Sequence, residues 1–121
     1  SDVYKRQALG CAQLENLDRY VADKRETAAR YAEFFKDKKD ITFFTEPADC
    51  KSNYWLNAVV LKDKVAQLEF LEYTNDHGVM TRPVWELMNR LPMFEHCETD
   101  GLENTEWLAD RVVNIPSSVR L

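Results

Sequence analysis

K-S-N-Y-W-L-N-A-V-V-L, residues 51–61, is the stretch whose reading decides the fold. A polar, aromatic opening runs directly into Ala58, Val59, Val60 and Leu61, four consecutive apolar residues. Both faces of such a segment need cover, so the strand is expected at the centre of a sheet rather than at its edge. The rest of the chain reads as elements able to pack around it.

Upstream, I-T-F-F-T-E, residues 41–46, is β-branched and aromatic and stops at Pro47, which predicts a second strand joined to the first by a loop over 47–52. K-D-K-K-D, residues 36–40, is a solvated turn, with neither glycine nor a helix N-terminus to build a phosphate site. Before it, Leu14, Leu17, Val21, Ala28, Tyr31 and Phe35 recur at helical spacing once Lys24 is allowed as an interruption, and they predict one amphipathic helix over 8–35. That helix would be about 40 Å long, against a diameter of about 35 Å for a compact domain of this size. One end should therefore overhang, and the small, apolar end at Leu9, Gly10 and Ala12 suits packing against another body. Residues 1–7, S-D-V-Y-K-R-Q, look foreign to this helix and resemble a translated sequencing adapter. They are expected to be a non-native leader, with the domain occupying 8–121.

Downstream, Asp63 stands where it can cap a helix from Lys64, with Val65, Leu68 and Leu71 on one face and T-N-D-H-G, residues 74–78, ending it. Gly78 is the expected left-handed residue beyond that end. Residues 79–82 predict a short strand closed by Pro83, residues 85–91 a short helix, and residues 92–101 a loop. Asn104 is read as the N-cap of a helix over 105–111, and V-V-N-I-P, residues 112–116, as a last strand. The order gives an α+β domain: a long N-terminal helix, then a small sheet with helices packed on one face.

With 121 residues, 45% hydrophobic and 31% charged, the chain has material for one domain with a core. A net charge of −5 opposes binding to nucleic acid, which relies on a basic surface. Cys11, Cys50 and Cys97 are odd in number and far apart, so neither a disulfide framework nor a zinc site is indicated, and a reducing cytoplasm fits best. No apolar run approaches the roughly 20 residues of a membrane span. His77 and His96 lack the local spacing of metal ligands, and Cys97 beside His96 lacks a third orienting group. Trp55, Trp85 and Trp107 are expected in the core. Asn53 and Asn57, which flank Tyr54 and Trp55, are more informative. So is Arg82, held between a strand and Pro83, where its guanidinium can offer a two-pronged fork to a carboxylate or phosphate.

Three stretches carry a family resemblance. A-L-G-C-A-Q-L-E-N-L-D-R-Y-V-A-D-K-R, residues 8–25, is similar to the helix that links the large and small domains in the DegT/DnrJ/EryC1/StrS family of pyridoxal-phosphate sugar aminotransferases. G-V-M-T-R-P-V-W, residues 78–85, resembles that family's glycine-started strand leading toward the substrate cleft, and W-L-A-D-R-V-V-N-I-P-S, residues 107–117, resembles its closing helix and strand. The resemblance implies the small domain of a fold-type I aminotransferase. It further implies a cytoplasmic homodimer that moves an amino group from a donor such as glutamate to a nucleotide-linked keto sugar, for cell-surface polysaccharide or glycan biosynthesis.

In such an enzyme pyridoxal 5'-phosphate is bound mainly by the large domain, whose Schiff-base lysine no segment here matches. Lys24, Lys51 and Lys62 are not candidates for that role, no catalytic or metal-binding residue is assigned, and the chain alone is expected to be inactive. The nucleotide-sugar side of the cleft is expected to use Asn53, Tyr54, Asn57, Arg82 and Trp85. The combination looks closest to the branch making amino sugars of the bacillosamine and legionaminic acid type. It departs from the wider pattern at Trp55, Asn57 and Val84, where many members carry histidine, tyrosine and histidine. The competing reading is a free-standing α+β interaction domain that binds a partner through the apolar end of its first helix.

Overall fold

The computed structural model describes residues 2–120. Four strands form one antiparallel sheet in the order β1-β2-β4-β3, with β1 at Ile41–Phe43, β2 at Asn57–Leu61, β3 at Arg82–Pro83 and β4 at Val112–Ile115. The four helices are α1 (Asp2–Leu14), α2 (Leu17–Phe35), α3 (Lys64–Asp76) and α4 (Glu103–Ala109). The strand carrying the apolar run is indeed internal, paired on one side with β1 and on the other with β4.

Alternation along β2 sorts its residues between two unlike faces. Asn57, Val59 and Leu61 point inward and are buried, in register with Phe43, Val113 and Ile115 of the neighbouring strands. Ala28 of α2 completes this core, and Tyr31, Ala32 and Phe35 of α2 and Ala66, Phe70 and Leu71 of α3 pack around it. Both helices thus cover the same face. Ala58 and Val60 point the other way and are only half-buried, so the expectation of equal cover on both faces does not hold.

The predicted 8–35 helix is two helices, broken at Glu15 and Asn16. The Asn16 amide Nδ2 donates back to Ala12 O at 2.9 Å, and its backbone N–H reaches Gln13 O at 3.1 Å, a tighter turn than the α-helix. An asparagine side chain that competes for backbone carbonyls in this way ends a helix without disturbing its apolar periodicity. α1 buries none of its residues and runs through positions 2–7 without interruption; Ser1 lies outside the described residues. α2 is fastened at its middle. Lys24 Nζ donates to Ser117 O at 2.6 Å and to Trp55 O at 3.2 Å, and Tyr31 OH donates to Pro116 O at 2.9 Å.

The strand expected over 51–61 pairs only from Asn57. Ser52 Oγ accepts from Tyr54 N at 2.9 Å and Asn53 Oδ1 accepts from Trp55 N at 3.0 Å, while Tyr54 adopts a left-handed φ of 47°. These local turns pull residues 51–56 out of the extended conformation. The Asp63 cap forms as expected, its carboxylate accepting from Ala66 N at 2.9 Å, and Gly78 takes the left-handed φ of 76° beyond α3.

The face of α3 differs from expectation. Gln67 is fully buried, donating from Nε2 to Ala109 O at 2.9 Å and Val112 O at 2.8 Å, while Val65 and Leu68 face outward. The segment 85–91 holds only a 3-10 turn, Met88–Arg90. α4 starts one residue before Asn104, with Leu102 in a left-handed conformation at its N-cap. All three tryptophans are exposed rather than in the core, Trp85 most of all at 74%.

Candidate functional site

The uncovered face of the sheet carries the candidate site. Register aligns Ala58, Asn114 and Arg82 in one row across β2, β4 and β3. Leu56 lies just ahead of β2, and Trp85 follows the Arg82–Pro83 strand by two residues. Leu56, Arg82, Pro83, Trp85 and Asn114 line a hollow of about 420 Å³. Its size and its mostly apolar wall with a few polar groups are those of a small-molecule pocket. The backbone of Arg82 is fixed by its pairing with Asn114 and by the rigid ring after it. Among the described residues it has no carboxylate partner. A guanidinium without a carboxylate partner, sharing a hollow with an indole, can hold an anionic group and a flat or apolar moiety together.

A second hollow of about 250 Å³ adjoins the first, and Leu56 belongs to the walls of both. Tyr54, Glu46, Ser52, Lys51 and Phe44 contribute to this one. Of the residues singled out in the sequence, Arg82 and Trp85 come together in the larger hollow and Tyr54 lines the smaller. Asn53, exposed in the loop, lines neither, and its side-chain oxygen is occupied by Trp55 N.

Asn57 is not brought to either hollow. Its side chain faces inward at 1% exposure, and neither its Oδ1 nor its Nδ2 has a hydrogen-bond partner among the described residues. The sequence reading missed Leu56 and Asn114. The alternation Val113 in, Asn114 out, Ile115 in was a usable signal once β4 was recognised.

Residues 6–121 match the model of the DegT/DnrJ/EryC1/StrS aminotransferase family. The chain belongs to this family. GDP-perosamine synthase of Escherichia coli O157:H7 is 28% identical over 116 residues, which is 91% of this chain and 29% of that protein. Among solved structures of similar fold, the sugar aminotransferase CalS13 from Micromonospora echinospora is 25% identical, with a TM-score of 0.79 over 94% of this chain and 30% of that one. Helicobacter pylori PseC, described as an aminotransferase involved in pseudoaminic acid biosynthesis, has a TM-score of 0.82 over 92% of this chain and 31% of its own. At 20% identity that likeness concerns the fold alone. The chain spans about 29 to 30% of the length of the curated relatives it matches.

Aminotransferase chemistry on pyridoxal phosphate requires a lysine amine free to form a Schiff base. The large hollow of this family member has no lysine in its wall, and Lys24 spends its ammonium on two backbone carbonyls. These residues do not make a cofactor site by themselves. No group of three or more His, Cys, Asp or Glu side chains suited to a metal ion occurs among the described residues, and no helix there is long and apolar enough to cross a membrane.

Proposed function

We propose that this chain is the small domain, residues 8–121, of a cytoplasmic, homodimeric nucleotide-sugar aminotransferase. That enzyme transfers an amino group from a donor such as glutamate to a nucleotide-linked keto sugar for a cell-surface polysaccharide or glycan. Pyridoxal 5'-phosphate, anchored in the rest of the enzyme, supplies the electron sink for the exchange. This chain supplies one wall of the sugar-nucleotide cleft. Arg82 grips the anionic part of the ligand, Trp85 and Leu56 offer it apolar surface, and Asn114 offers an amide. Tyr54 lines the adjoining hollow and Asn53 is exposed in the loop before it, while Asn57, on the opposite face of the sheet, is left out of the ligand-facing set.

The observation that carries the reading is Arg82: a guanidinium with no carboxylate partner among the described residues, on a paired strand, in the wall of an apolar hollow on the sheet face that the described helices leave uncovered. The name of the 28%-identical GDP-perosamine synthase describes the making of a nucleotide-linked amino sugar and supports the substrate class. In a longer enzyme carrying this chain, Arg82→Ala should lower kcat/KM for the sugar nucleotide by about tenfold to a hundredfold. Arg82→Lys should restore little, because a point charge does not replace a planar fork. The absorbance of bound cofactor should be unchanged in both. Wild-type kcat/KM in Arg82→Ala, or loss of the cofactor, would overturn the assignment.

A further inference from the structure

We propose that the ion pair between Arg25 and Glu46 is a positioning latch. It ties the loop 47–56 to α2 and so sets where Leu56 stands in the wall shared by the two hollows. The inference rests on the function proposed above for the identity of the ligand, and on geometry for the latch itself.

Arg25 projects from α2, and Glu46 follows β1 by three residues. The guanidinium grips the carboxylate with both prongs, Nη1 to Oε2 at 2.9 Å and Nη2 to Oε1 at 2.7 Å, and Nη1 also donates to Ser52 O at 2.6 Å. The same carboxylate accepts from Ser52 N at 2.5 Å. Glu46 N donates to Tyr54 OH at 3.0 Å, Tyr54 N donates to Ser52 Oγ at 2.9 Å, and the Arg25 guanidinium carbon lies 5.7 Å from the centre of the Tyr54 ring. The residue that opens the loop and Ser52 within it thus meet at one ion pair. Its side chains are 33% and 23% exposed, which is sheltered for a charged pair.

Tyr54 explains why the loop needs such a hold. A tyrosine at φ 47° is unfavourable on its own and persists only where its surroundings over-determine it. Here Ser52 Oγ accepts from the backbone N–H of Tyr54 and the Glu46 backbone N–H donates to its phenol oxygen, and the ion pair holds Ser52 and Glu46 in the places from which they do so. Two residues later the chain reaches Leu56, and from there the wall of the Arg82 hollow. Neither Arg25 nor Glu46 lines that hollow, so they act on it only through the loop. A bidentate pair is suited to this because it fixes direction as well as distance.

The test uses a longer enzyme carrying this chain, as wild type, Glu46→Gln and Arg25→Lys; the second variant keeps its charge and guards against loss of the fold. Two readings do not depend on activity. Amide exchange over 47–56 should speed up at least tenfold in both variants while β2 and α3 keep their protection. The fluorotryptophan resonance of Trp85 should shift or broaden while that of Trp107 does not. The third reading is kinetic: KM for the sugar nucleotide should rise about tenfold, with kcat and KM for the amino donor within about twofold of wild type. Unchanged exchange in the loop, or a loosened loop with an unmoved Trp85 resonance, overturns the latch. A loosened loop with unchanged sugar KM reduces the pair to a structural one and also overturns it. If the wild-type enzyme aminates no sugar nucleotide, the proposed function fails instead, and the latch stands or falls on the two activity-independent readings.

Discussion

Glu46 is the residue whose chemistry is most altered by the fold. The Arg25 fork, then the Ser52 N–H, hold its carboxyl down from an ordinary 4.5 to about 2, against a smaller opposing effect of burial. Lys51 in the loop acts in the same direction, and Arg25 stays charged throughout. Because the folded-state pKa lies below the unfolded one, the pair's contribution is complete above about pH 4.5 and is lost as pH falls toward about 2. The protection of amides over 47–56 relative to their intrinsic exchange rate at each pH, followed by NMR, should therefore fall across that window before the sheet opens. In Glu46→Gln that protection should be low at every pH, and a wild-type loop that holds its protection down to pH 2 would contradict this. The sequence announced Arg82 and Trp85, since a Pro-flanked arginine and a nearby indole are local signals. It could not announce the Arg25–Glu46 pair. Those residues are 21 positions apart, and each looks like one more surface charge until the loop between them is folded.

At the level of elements, short-range chemistry was the legible part. The Asp63 cap, the Gly78 turn and the apolar core of β2 all follow from neighbours in the chain. Gln67 was illegible because a buried glutamine breaks the apolar stripe that marks a helix's inner face, and so the stripe was misread through Val65 and Leu68. Its amide takes two carbonyls, Ala109 O and Val112 O, at the junction of α4 and β4. Gln67→Ala removes a fully buried side chain and leaves both carbonyls without this donor, so it should cost roughly 3 kcal/mol. Urea denaturation of the chain should register that as a lower midpoint at unchanged slope. A loss below about 0.5 kcal/mol, the range of ordinary surface substitutions, would mean the junction is held by something else. The break at Asn16 was hidden for the opposite reason: the apolar spacing runs across it undisturbed, and only the side chain's return to Ala12 O ends α1.

The whole molecule exposes 9521 Å², against roughly 6,800 Å² expected of a folded monomer of 14.2 kDa. Part of that surface lies on α1, which buries nothing and shows Leu9 at 64% and Leu14 at 68%, and part on the sheet face opposite α2 and α3, where Trp85 is 74% exposed. Apolar surface on that scale seeks cover. The chain on its own should associate as concentration rises, seen as an increasing sedimentation coefficient, and Leu9→Glu with Leu14→Glu should weaken the effect. A strictly monomeric chain at high concentration would refute this. The two edges of the sheet decide what form the association takes. β3 is two residues long and one of them is Pro83, which has no N–H to offer a further strand. β1 is three residues long and follows a left-handed Asp40 and a run of lysines. Edges this short and interrupted give an incoming strand no template. Sticky faces between blunted edges lead to soluble, reversible oligomers, so the concentrated chain should stay silent to thioflavin T and never grow fibrils.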